Sequence, residues 1–256
     1  KSVDLFVLDL PYANKVFGNC TSMGWDSPID LTEMWIQIKR IMKPSAVIVH
    51  FCNVKFGFAL IQSNPKWFKY DLIWKKSRKV GFLSANKQPL RQHENIYIFD
   101  DNNHTQFPKN GEYGIYNPQK TEGHKPYTEK KGKLKGIADG VYSKHIGEYG
   151  DSLKHGDLLS LGKENKGDRH PTSIIENTIL EHNNPHKPIH RTQKPVSLLE
   201  WLIKTYSNEG DVVMDFCMGS GTAGIACLNT KRSFIGIEKD EEIFKTAYDR
   251  IENHII

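Results

Sequence analysis

Near the carboxyl end of the chain, the apolar run Val212-Val213-Met214 leads into Asp215-Phe216-Cys217-Met218-Gly219-Ser220-Gly221-Thr222-Ala223-Gly224, and Phe234-Ile235-Gly236-Ile237 ends in Glu238. Gly219, Gly221 and Gly224 satisfy G-x-G-x-x-G, in which bare backbone comes close to a nucleotide-like ligand, while a carboxylate ending the next strand accepts hydrogen bonds from ribose hydroxyls. The same letters also suit an ordinary strand-to-helix turn. A second group, Asp9-Leu10-Pro11-Tyr12, follows the apolar run Val3 to Leu8, and open α/β sheets place their ligands at such strand ends. A third, Thr192-Gln193-Lys194-Pro195, opens an amphipathic helix, so a positive helix N-terminus and the Lys194 ammonium together suit a carboxylate.

Metal chemistry is not expected. His182, His186 and His190 are spaced by four, as helical ligands would be, but Pro185 and Pro188 forbid the helix and no cysteine or carboxylate completes a site. Cys20, Cys52, Cys217 and Cys227 form no C-x-x-C pair, so neither a zinc ribbon nor a disulfide framework is indicated and a reducing, intracellular setting is expected.

The elements that must position these groups follow from the apolar pattern. Val212 to Glu238 reads as one βαβ unit, and only eighteen residues remain after it. Glu241 to Ile255 suits a helix with Ile243, Phe244, Ala247, Tyr248 and Ile251 on one face. The sheet cannot be finished downstream, so its other strands come from earlier in the chain and the fold reads as circularly permuted. Upstream, Val3 to Leu8 suits a buried parallel strand. Asp30 and Glu33 form a capping box for a helix burying Leu31, Met34, Trp35, Ile38, Ile41 and Met42, which Pro44 ends. Ser45 to Phe51, Phe68 to Trp74 and Glu94 to Phe99 read as strands, and Phe56 to Ile61 as a helix. The basic run Lys75 to Lys79 suits either a solvated turn or a phosphate-contacting segment. From Asp100 to about His186 the pattern fails; residues 120 to 170 hold eleven Lys/Arg, eight Asp/Glu and nine glycines, a composition for loop rather than core. Leu198, Leu199, Leu202, Ile203 and Tyr206 form the inward face of the helix that Pro195 opens.

With 38% hydrophobic and 25% charged residues, the chain can form one large α/β domain or a domain with an insertion. A net charge of +5 favours a polyanionic partner only mildly. No apolar run reaches the roughly 18 residues of a membrane span. The chain opens at Lys1 rather than at methionine, so residues are expected upstream.

In their order along the chain, Asp9-Leu10-Pro11-Tyr12, then Thr192-Gln193-Lys194-Pro195, then Asp215-Phe216 with Gly219-Ser220-Gly221-Thr222, the three groups resemble the β group of DNA amino-methyltransferases. Trp25-Asp26, Lys43-Pro44 and His93-Glu94-Asn95-Ile96-Tyr97-Ile98-Phe99 are similar to further family segments. Leu10 stands where the family most often has proline, Arg191 where proline commonly precedes Thr-Gln-Lys-Pro, and Ala223 where a second threonine is frequent; none of these removes a reactive group. The resemblance implies a Rossmann-like, doubly wound, mostly parallel seven-stranded sheet with one reversed strand. Residues 1–100 would form the catalytic half, 101–186 a target-recognition insertion and 187–256 the half that binds S-adenosylmethionine.

It further implies that Asp9 and the carbonyl of Leu10 accept the two N–H bonds of a base amino group, that Pro11 stiffens the turn and that Tyr12 stacks on a base flipped out of double-stranded DNA. Asp215, Phe216, Gly219, Ser220, Gly221 and Thr222 would line the cofactor, Lys194 would meet its carboxylate and Glu238 its ribose. Aspartate at position 9 resembles the adenine-N6 form, where cytosine enzymes usually show serine. No thiolate intermediate is needed, so Cys217 is not cast as a nucleophile. A restriction-modification setting in the cytoplasm or on the nucleoid is implied as well, without a membrane, and a homodimer is compatible with it. Cytosine-N4 or RNA methylation remains open within the same fold. A nicotinamide-dependent dehydrogenase would share the glycine turn but give no use to Asp9-Leu10-Pro11-Tyr12, and a non-catalytic DNA-binding subunit would not need Asp9, Pro11 and Tyr12 intact.

Overall fold

Strand β1 (Val3–Leu8) is buried along its whole length, which is why its sequence runs apolar instead of alternating. Leu5 and Val7 join one core and Phe6 and Leu8 the other, so the strand lies inside a sheet covered on both faces. Its one charge, Asp4, is buried but accepts from Lys43 Nζ at 2.8 Å and from the Val212 N–H at 3.0 Å. A buried carboxylate so paired avoids the cost of an isolated charge and ties β1 to the cofactor-type unit expected at the chain's end.

A computed structural model describes residues 1–12, 27–101, 114–128, 164–176 and 193–254. Trp25-Asp26, Arg191-Thr192, Cys20 and the three histidines lie outside them. The chain divides into one unit of Lys1–Asn103, Tyr113–Asn117 and Thr172–Ile256, and a second of His104–Glu112 and Pro118–Pro171. In the second, β5 (Tyr127–Thr128) pairs antiparallel with β6 (Glu164–Asn165), and Lys120 meets Asp168 at 2.6 Å.

The first unit carries a seven-stranded sheet in the order β7-β3-β4-β2-β1-β8-β9, built from β2 (Met42–Cys52), β3 (Phe68–Val80), β4 (Arg91–Asp100), β7 (Ile174–Glu176), β8 (Val212–Asp215) and β9 (Ser233–Gly236) with β1. Only β4 runs against its neighbours; all other pairings are parallel. Helices α1 (Leu31–Ile41) and α2 (Val54–Ser63) supply one face, and α3 (Val196–Tyr206) and α4 (Thr222–Asn229) the other. The nucleotide-type unit β8-α4-β9 therefore comes last in sequence but pairs through β8 with the first strand, the permuted arrangement expected.

Several local expectations shift. Asp30 caps α1 as anticipated, accepting from the Thr32 and Glu33 N–H groups, whereas the Glu33 carboxylate takes the Gln37 amide at 2.6 Å. Pro44 does not simply stop the helix; it lies inside β2, at a register irregularity opposite Val3 to Leu5, where no ladder donor is required. The basic run Lys75 to Lys79 is strand and not turn, because β3 continues through it beside β4. Thr172 to Glu176, inside the interval read as insertion, belongs to the sheet unit, with β7 parallel to β3. On α5 (Glu241–Glu252), which packs against α4, Ala247 is buried, but Phe244 and Tyr248 stand 42% and 53% exposed.

Candidate active site

β1 and β8 are adjacent parallel strands with Phe6 opposite Met214, so the residues after both strands emerge side by side at one carboxyl edge. Asp9 and Tyr12 leave β1 there, and Asp215 to Gly219 leave β8. From α3's amino end comes Lys194, whose Nζ bonds Asp9 Oδ2 and lies 3.6 Å from Glu94 Oε2 on β4. The Tyr12 hydroxyl donates to the other Asp9 oxygen at 2.8 Å, and Tyr12 stacks on Phe56 with centroids 5.6 Å apart. Leu10 is buried in the core that packs α1 and α2, and Pro11 is half-buried beside it. Lys194 also stands over the Phe51 ring at 5.0 Å. Its ammonium, expected on a ligand carboxylate, is thus held between two carboxylates of the chain.

Charge sets the protonation of this cluster. Burial alone would raise the Glu94 carboxyl, but the Lys194 and Lys76 ammoniums outweigh it and hold it below the usual range. Burial alone would lower the Lys194 ammonium, and Asp9 with Glu94 raises it instead. Tyr12 is pushed well up by burial and by the same two carboxylates, so it stays a neutral donor. Lys76 bonds Glu94 Oε1 from β3. Asp9, Lys194, Glu94 and Lys76 form one alternating chain of charge, and sequence reading assigns no role to its last two members; their only signal is the basic run and the His93-Glu94 pair.

The glycine turn is built differently from the way its letters suggest. Gly219 is left-handed, with φ at 50°, and a Cβ there would meet nothing within 4 Å; its backbone faces open space. Gly224 serves packing, since a Cβ would come within 2.4 Å of Ile251 and 3.0 Å of Phe234. Glu238 staples the turn: Oε2 accepts the Gly219 N–H and Oε1 the Asp240 N–H, both at 3.0 Å. Arg250 on α5, unmarked by any local pattern, donates to the Ser220 carbonyl at 2.8 Å and to Thr222 Oγ1 at 3.1 Å. Asp215 accepts the Cys217 N–H at 3.0 Å, yet burial pushes its carboxyl up to about 7. Phe216 is half-buried against the core beneath β1. Burial, then Asp215 and Asp9, raises the Cys217 thiol well above the usual value, leaving it protonated at neutral pH. Among the described residues no cluster of His, Cys, Asp and Glu could hold a metal ion, and no helix is long and apolar enough to cross a membrane.

Known proteins are similar to this chain in sequence and in fold. Type II methyltransferase M.HpaI of Haemophilus parainfluenzae is 24% identical over 259 residues, covering 98% of this chain and 69% of its own length. The crystal structure of an M1.HpyAVI-SAM complex superposes with a TM-score of 0.58 at 20% identity, covering 97% of this chain and 89% of that one. The cytosine-N4-specific PvuII DNA methyltransferase gives 0.57 at 14% identity, covering 100% and 82%. The family model described as DNA methylase, N6_N4_Mtase, matches residues 3–249. With the sheet, the carboxyl-edge site and that match over nearly its whole length, the chain belongs to the DNA amino-methyltransferase family.

Proposed function

We propose that the protein transfers a methyl group from S-adenosylmethionine to the N6 amino group of an adenine flipped out of double-stranded DNA. The observation that carries this is the convergence of Asp9, Tyr12 and Lys194 beside the glycine turn, at the carboxyl edge where open α/β sheets bind ligands. The turn suits the cofactor: Gly219 opens onto free space, Glu238 retains lone pairs for ribose hydroxyls, and Asp215 offers a carboxyl to an ammonium. When bound, S-adenosylmethionine supplies an electrophilic methyl group.

The chain's own residues do the rest. An exocyclic amino nitrogen is a weak nucleophile because its lone pair is delocalised into the ring. Asp9 accepts one N–H and the Leu10 carbonyl the other, which localises the lone pair toward the incoming methyl group. Lys194 and Tyr12 fix the Asp9 carboxylate while leaving a lone pair on each oxygen. Tyr12, backed by Phe56, offers a ring for the flipped base. Cys217 stays a thiol and forms no covalent bond to the base. The second unit and its flanking residues serve target recognition, and the likeness to M.HpaI, a Type II methyltransferase, suits the modification half of a restriction-modification pair.

A second assignment, cytosine N4, is favoured by one observation, the fold shared with PvuII methyltransferase. Single-turnover transfer of labelled methyl to unmethylated duplex DNA, followed by nucleoside identification, decides. N6-methyladenine is the expected product; N4-methylcytosine moves the choice of base, and label on no DNA overturns the function.

A further inference from the structure

The last β2–β4 pair is Cys52 with Asn95, yet β3 and β4 continue past it through Trp74 with Glu94 and Lys75 with His93 to Val80 with Arg91. These two strands therefore run on as a hairpin beyond the edge where Asp9 sits. Between the Lys75–His93 and Val80–Arg91 pairs the register shifts, so β3 bulges against β4, and the two steps from His93 to Arg91, at about 3.3 Å per residue, carry the tip roughly 7 Å outward. The hairpin is anchored to the charge chain: Lys76 bonds Glu94, Gln92 Nε2 donates to the Lys76 carbonyl at 3.0 Å, and Glu94 meets Lys194.

Its tip is ordered and apolar. Gly81 turns the chain with φ at 96°, Phe82–Ser84 forms a single 3-10 turn, and the Ala85 and Lys87 N–H groups close onto the carbonyls of Phe82 and Ser84. Phe82 and Leu83 are nonetheless 68% and 106% exposed. From Lys75 to His93 there are six Lys/Arg and no Asp/Glu. Lys75 and Lys76 pair with Glu176 and Glu94, while Arg78, Lys79 and Lys87 pair with none of the described carboxylates.

Apolar side chains held at the tip of a cationic arm suit a partner with anionic rails and an apolar interior. Duplex DNA has both, in its phosphates and its base stack. Resting on the methyl-transfer function above, we propose that the β3–β4 hairpin is a DNA-inserting wedge. Phe82 and Leu83 enter the stack beside the target base, and Arg78, Lys79 and Lys87 hold the flanking phosphates. Insertion offsets the unstacking that flipping requires, and the anchored base of the hairpin fixes the wedge relative to Asp9.

The test uses Phe82→Ser/Leu83→Ser, which alters only exposed side chains, and a melting curve confirms folding. The target sequence is first read from the bases that the wild type labels in polymerase-amplified DNA. Single-turnover transfer is then compared on a paired duplex and on the same duplex with an abasic site opposite the target. The double variant should lose about 10- to 100-fold on the paired duplex and regain most of it once the target is unpaired. Arg78→Ala/Lys79→Ala/Lys87→Ala should flatten the slope of log affinity against log salt by about 0.9 for each phosphate that is no longer neutralised. Wild-type rates for the serine variant on the paired duplex, or equal losses on both substrates, overturn the wedge while leaving methyl transfer standing. Wild-type binding to anionic vesicles that the serine variant lacks, with DNA transfer intact, would assign the tip to a membrane surface instead. No transfer by the wild type to any DNA removes the function on which the wedge rests.

Discussion

Lys194 and Asp9, 185 residues apart in sequence, form an ion pair at the carboxyl edge of the sheet, with Tyr12 holding the second Asp9 oxygen at 2.8 Å. The pair fixes the orientation of the one carboxylate proposed to meet the reacting amino group. Asp9→Ala should lower the single-turnover rate by about 10²–10³, by analogy with losing one preorganised donor from an oxyanion hole, while cofactor affinity stays near wild type. Asp9→Asn keeps an acceptor oxygen without the charge and should fall between. Rapid quench for transfer and calorimetry for binding separate the two effects; transfer near the wild-type rate by Asp9→Ala would sink the mechanism.

Glu94 sets an acid limit. Its carboxyl is opposed by burial but held below the usual range by Lys194 and Lys76, so its ionised form contributes stability above its unfolded value. That stability is lost as pH falls through the still lower folded value. Melting temperatures measured between about pH 2 and pH 6 should fall steeply for the wild type and less steeply for Glu94→Gln. Parallel curves would mean that the charge chain contributes nothing to acid stability.

The sheet was legible because burial on both faces forces apolar runs, as in β1, and because Asp30 and the α3 face Leu198, Leu199, Leu202, Ile203 and Tyr206 carry strong local signals. Lys75 to Lys79 was ambiguous for a physical reason. Its partner strand β4 lies past an intervening turn, and charge periodicity in an exposed hairpin mimics a solvated loop. The residues of the candidate site stood out in the sequence as three separate groups, but the contact of Lys194 with Asp9 and Glu94, and Arg250 clamping Ser220 and Thr222, exist only once distant segments pack. The glycine letters misled in part, because Gly224 makes room for Ile251 and Phe234 and not for a ligand.

Glu238 connects β9 to the glycine turn through the Gly219 N–H. Glu238→Ala should weaken S-adenosylmethionine binding by about 1.5–3 kcal/mol, the range for hydrogen bonds to a charged group. Glu238→Gln, which retains one acceptor oxygen, should lose less. Calorimetry with S-adenosylmethionine and with NAD checks both the magnitude and the ligand class: tight NAD binding without S-adenosylmethionine binding would transfer the site to a dehydrogenase.

Asp215 carries the opposite sign from Glu94. Burial lifts its carboxyl to about 7, against partial relief from the Cys217 N–H. A folded value raised above the unfolded one means stability that is complete below the unfolded value and is lost as pH rises through about 7. Asp215→Asn keeps an oxygen for the Cys217 N–H but cannot ionise, so it should melt increasingly above the wild type from about pH 4 to pH 7, with a constant gap beyond. The same carboxyl gives cofactor binding a pH dependence. A ligand ammonium placed beside Asp215 favours its ionised form, so binding should release a proton near neutrality and tighten as pH rises from about 6 to about 8. Calorimetry in buffers of different ionisation enthalpy reads the proton directly. Asp215→Asn should bind more weakly at pH 8 and show no proton release, whereas proton release retained by the variant would place the titrating group elsewhere.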